Sequence, residues 1–190
     1  METSFRALIT QIHGMLFGVF FLLAIFGVLV ELCRSVYETR PTELTPAGYW
    51  LQRFYFVCTA LLGWAAVLSG AYLVYPWYRA IPPLGVVNLA QFPQALLKSS
   101  AATAGWHNLG MEWKEHIAWF APIAITMAAY VSIKYSSSIR EHSQVRKAVL
   151  VFVIVALFAA GVAGYFGAEI DDHAPIQGGG TAIHWMGGNH

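Results

Sequence analysis

The sequence predicts an all-α integral membrane protein: a four-helix bundle with an amphipathic loop on its outer face and a glycine-rich C-terminal tail. Three observations carry that prediction. Hydrophobic residues make up 57% of the 190-residue chain and charged residues only 11%, against about a quarter charged in soluble domains. Four apolar runs, 8–32, 51–75, 117–135 and 149–168, reach the roughly 20 residues that a helix needs to cross the hydrocarbon layer. Lipid offers the backbone no hydrogen-bond partner, so each run must be helical. Residues 1–173 form the transmembrane unit and 174–190 its tail.

The first run does not read as a removable signal. Glu2 spoils a basic leader, the apolar stretch 12–30 is too long, and no small-x-small site follows. It is expected to remain as the first helix. The second run ends before Pro82-Pro83, which cannot continue a helix. A connection over 79–111 follows. Within it, residues 88–100 set Leu89, Phe92, Leu96 and Leu97 among polar residues, a short amphipathic piece lying in the interface and interrupted at Pro93. It could cover a cofactor edge, dock a partner or rest on headgroups.

The third run opens with Glu112-Trp-Lys-Glu-His116, which packs two carboxylates, a lysine and a histidine into five positions. The fourth run leads through Glu169, Asp171, Asp172 and His173 into the tail, where Gly178-Gly-Gly180 and Gly187-Gly188 preclude an independent core. Ser69-Gly70 marks a close helix contact.

Basic residues set the orientation. The first-to-second and third-to-fourth connections carry Arg34, Arg40, Arg53, Lys134, Arg140, Arg146 and Lys147, while the opposite side has Arg6, Arg79, Lys98 and Lys114. Seven against four places both termini outside a bacterial plasma membrane. All histidines except His142 then fall on the outer side.

Composition excludes several classes. A net charge of +1 gives no electrostatic case for a nucleic-acid partner. Cys33 and Cys58 are the only cysteines, and no Cys-x-x-Cys-His occurs, so neither a disulfide scaffold nor covalent c-type haem attachment is indicated.

His13 and His116 carry the chemical expectation. Each opens an apolar run, and an ionisable side chain at that depth is costly enough to imply a functional partner. Two imidazoles facing across a bundle are the axial ligands that a single haem b needs. Gly14 and Gly18 would leave room for the porphyrin, with Phe17, Phe20, Trp119 and Phe120 as walls. Lys114, Arg79 or Arg6 would meet its propionates. Glu112, Glu115 or Glu169 would accept protons released by a quinol.

Other metal arrangements compete. Glu112/His116 and Glu169/His173 form two i, i+4 pairs, although carboxylate-bridged bundles use Glu-x-x-His at i, i+3. His107, Met111, His184 and Met186 offer copper-type donors in loop and tail.

Four helices with His13 and His116 at one end loosely resemble small membrane-bound b-type cytochrome subunits, without the motif of any named family. That resemblance implies a subunit carrying electrons between the quinone pool and an extracytoplasmic redox partner. No second histidine pair exists near the inner face, so one haem alone would not carry electrons across the bilayer. The alternative is a cofactor-free structural subunit of a membrane respiratory complex. In either case residues 174–190 are expected to be ordered by another subunit, with Trp185 and Met186 as anchors.

Overall fold

Four helices long and apolar enough to cross a membrane form the body of the protein: Phe5–Arg34, Pro46–Tyr78, Trp106–Lys134 and Ser143–His173. The structure, a computed structural model, describes residues 2–37, 45–135, 142–177 and 182–184. Arg40 and Arg140 of the charge comparison, and Trp185 and Met186 of the tail, lie outside the described residues.

Each helix outruns its apolar stretch at one end or both, because polar turns there still have hydrogen-bond partners. The first is capped by Ser4, whose hydroxyl accepts from Ala7 N at 3.1 Å. The second is capped by Thr45, which accepts from Gly48 N at 3.2 Å, with Pro46 in the first turn. The third begins at Trp106, so the connection shortens to 79–105, and His107 and Met111 sit on a helix instead of a loop. The fourth runs on through Glu169 to His173.

The first helix packs against the second and fourth, and the third also packs against the second and fourth. First and third therefore face each other on a diagonal. Their shared core is Phe21, Ile25 and Val28 from the first helix, Phe56 and Ala60 from the second, and Val149 and Val153 from the fourth. The third contributes Ala121, Ala124, Ile125 and Ala128, met by Ala156 and Ala159 of the fourth. Small side chains let backbones approach where lipid supplies no hydrophobic drive for association. Leu23, Phe26, Leu61, Phe158 and other large apolar residues point outward, as a lipid-facing surface requires.

Both described termini lie at one end of the bundle, called here the head. A second cluster closes it, formed by Tyr78, Leu97, Met111, Ile170, Ala174 and Ile176. Leu97 belongs to a short helix, Pro93–Lys98. Proline opens this helix instead of interrupting it, since the missing N–H is not needed in a first turn. The tail's first residues thus pack on the chain itself, and Ala182–His184 pairs antiparallel with Glu2–Ser4.

Candidate functional site: a polar layer at the head of the bundle

Three of the four spanning helices widen into π-helical turns near the head, over Ile12–Val19, Gly70–Val74, Trp106–Met111 and Trp113–Ile117. Such turns give up regular α geometry and are frequent at functional sites. Here they surround a group of polar side chains to which every spanning helix contributes.

His13, in the first π turn, points at the second helix. Its Nδ1 lies 3.0 Å from Ser69 Oγ, and that hydroxyl also donates to the Ala66 carbonyl at 3.1 Å. A hydroxyl has one proton, so Nδ1–H must be the donor to Ser69, which leaves Nε2 with its lone pair. The Cε1 corner of the ring lies against Gly70, where a Cβ would come 2.7 Å from His13 Cε1 and 3.2 Å from Nε2. Glycine at 70 is what admits the imidazole.

Lys114 enters the same layer from the third helix. Its ammonium reaches the fourth helix at Gly167, where a Cβ would sit 3.0 Å from Nζ. The residue is half-buried, and its charge bears on His13 and on Asp171, one turn beyond Gly167. Among the described residues no carboxylate oxygen stands within ion-pair distance of it. The layer therefore reads His13, Ser69 and Gly70, Lys114, Gly167 and Asp171, in helix order.

Because Lys114 faces inward, His116 faces outward. Two residues along a helix rotate a side chain by roughly 200° at 3.6 residues per turn, and by less in a π turn. His116 is 67% exposed at its side chain. Its Nδ1 donates to the Glu112 carbonyl at 3.1 Å and lies 3.3 Å from Glu112 Oε2. His13 looks onto the second helix and His116 onto the molecular surface; they stand on diagonal helices without a shared contact.

The remaining candidates separate as follows. A Cβ at Gly14 would meet nothing within 4 Å, and one at Gly18 would meet only the His13 carbonyl, at 3.5 Å; neither glycine is packed by another helix. Arg79 donates to the Tyr75 hydroxyl at 2.9 Å, and Glu115 is within reach of that hydroxyl. His107 stacks on Tyr78, with Nδ1 2.7 Å from the phenol oxygen and Nε2 3.4 Å from the Gln94 amide. Both its ring nitrogens are engaged. His173 donates Nδ1–H to the Glu169 carbonyl at 2.8 Å and lies against Trp106. The side chains of His184 and Met186 are not among those described.

The donor chemistry separates these histidines as haem ligands. In His13, His116 and His173, Nδ1 is held by a protein acceptor and Nε2 is uncommitted, the way metal-binding imidazoles are oriented. His107 lacks that freedom. Among the described residues no three His, Cys, Asp or Glu side chains group as a metal site. A carboxylate-bridged centre needs such a group, whereas haem iron takes only two ligands from protein. Glu112 and Glu169 each remain beside the histidine of their own helix.

Ser69, Gly70, Gly167 and Asp171 were not assigned to the site from sequence. The Ser69-Gly70 contact was legible as a close approach, but its partner, His13, was not. No protein-family model matches the chain, and no curated protein or solved structure shows significant similarity to it. Fold and site together define a multi-pass, all-α membrane protein with a polar layer at one end of its bundle.

Proposed function

We propose that this protein is a membrane-bound b-type cytochrome subunit that exchanges electrons between the quinone pool and an extracytoplasmic partner. The observation that carries the reading is His13: an interior imidazole fixed through Nδ1 by Ser69, with Nε2 uncommitted, amid π turns from three helices. His13 is the residue that would hold a single haem, which would supply one-electron transfer; His116, which faces the molecular surface, would have to turn inward to serve as the second ligand. Lys114 brings a cationic side chain close enough to His13 to bear on it electrostatically, and there it would offset the charge of an anionic group. Arg79 sits further out on the second helix and would serve a head-side partner. The seven-to-four excess of basic residues at the opposite end supports a head that faces outward, with both termini there.

The experiment is spectroscopic. The purified chain should show reduced-minus-oxidised b-type bands and be reduced by a short-chain quinol. A folded but colourless protein, from a host supplied with haem, would sink the reading.

A second reading rests on His116. Its exposure, away from His13, suits a cofactor-free subunit whose head, with its short helix and tail, holds neighbouring subunits of a respiratory complex. Retention of neighbours by a colourless chain would favour it.

A further inference from the structure

From Ala80 to Phe92 the chain carries no charged residue, and the bundle does not use the apolar side chains at its tip. Ile81 is 87% exposed, Val87 is 94% exposed and Leu84 is fully exposed. The rest of the same connection behaves differently, with Pro93 and Leu97 buried in the head. The amphipathic helix is thus spent on covering the bundle, and the tip is what projects from it. Bare aliphatic side chains grouped in this way mark a surface that something apolar covers.

We propose that the tip, residues 81–87, is seated in the lipid leaflet on the head side, at headgroup depth, with Arg79 and Lys98 against lipid phosphates. Three observations select lipid as the occupant. The tip continues a lipid-facing surface, since Tyr72 and Leu73 are exposed on the second helix just before it. Its flanks, Arg79 and Lys98, are both exposed and cationic, the complement of anionic headgroups. Proline also removes two of the seven backbone donors in the tip, and the headgroup layer leaves the others access to water and lipid acceptors. Pro82 and Pro83 have no N–H, Val86 N donates to the Pro83 carbonyl at 3.3 Å, and Ala90 N donates to Asn88 Oδ1 at 3.0 Å. Gly85, at φ 85°, makes the turn possible. Irregular backbone is not tolerated in the hydrocarbon itself, so the seat is the interface, as for other shallow apolar anchors. Nothing in this proposal depends on the haem.

The test uses Leu84→Cys and Val87→Cys, each in a chain with Cys33→Ser and Cys58→Ala, labelled with an environment-sensitive fluorophore. The chains are placed in phosphatidylcholine vesicles with a minority of phosphatidylglycerol. Ser100→Cys, exposed on the same connection, is the reference. Both tip labels should emit blue-shifted light and be quenched about threefold more by headgroup-level spin-labelled lipid than the reference. Quenching of the tip labels by aqueous iodide, at the level of the reference, overturns the proposal. Energy transfer between labelled copies that survives dilution into excess lipid also overturns it, and assigns the tip to a second chain.

Discussion

His13 Nδ1 stands 3.0 Å from Ser69 Oγ, tying the first spanning helix to the second at the level where both have opened into π turns. Replacing Ser69 with Ala removes the hydroxyl that accepts from that N–H, and leaves the Ala66 carbonyl as the other acceptor within reach. The loss of one part-buried hydrogen bond should lower stability by about 1 kcal/mol, read as a lower midpoint of thermal unfolding in detergent. An unchanged midpoint would mean that the ring is held by packing alone.

Gly70 and Gly14 should respond oppositely to Ala. At Gly70 a Cβ would press on the imidazole at 2.7 Å, and overpacking of this kind costs about 1–3 kcal/mol. At Gly14 the added methyl meets nothing within 4 Å, and Ala is the better helix former by about 1 kcal/mol. Paired unfolding measurements check the contrast; equal effects would contradict the placement of His13.

Lys114→Met should stabilise the protein. Lys114 is half-buried and has no ion pair among the described residues; a partly desolvated ammonium is costly, and an apolar side chain of similar length removes that cost, by about 1 kcal/mol. Strong destabilisation instead would show that Asp171 or another group neutralises the charge.

The helices were legible because apolar length in a membrane protein is a direct constraint on the backbone: the runs at 8–32, 51–75 and 149–168 lie inside observed helices, and the run 117–135 does so up to Lys134, with Tyr135 as the cap. Their ends were not legible. Trp106 to Glu112 carries too many polar residues to register as a span, although its side chains pack on the fourth helix through Trp106 and Phe166. The site was half legible. His13 stood out as an ionisable residue in an apolar run, but which of Lys114 and His116 faces inward depends on helix rotation and on a π turn. Composition encodes neither.

Orientation is open to a direct check. A reporter fused after His190 should behave as extracytoplasmic and one inserted near Ser143 as cytoplasmic. A cytoplasmic signal from the His190 fusion would invert the placement of the head.

Tyr78→Phe removes the hydroxyl 2.7 Å from His107 Nδ1. It should loosen the head by about 1 kcal/mol while leaving any haem bands in place, because His107 has no uncommitted nitrogen. Limited proteolysis of the 79–105 connection together with a spectrum would check both halves of this expectation.

In the proposed function His13 would bind the redox group through Nε2. The most direct measurement compares reduced-minus-oxidised spectra of the purified wild type, His13→Ala, His116→Ala and His107→Ala, each verified as folded by circular dichroism. Loss of the b-type bands in His13→Ala and His116→Ala, with retention in His107→Ala, is the predicted result. A His13→Ala protein that keeps the wild-type bands would contradict it.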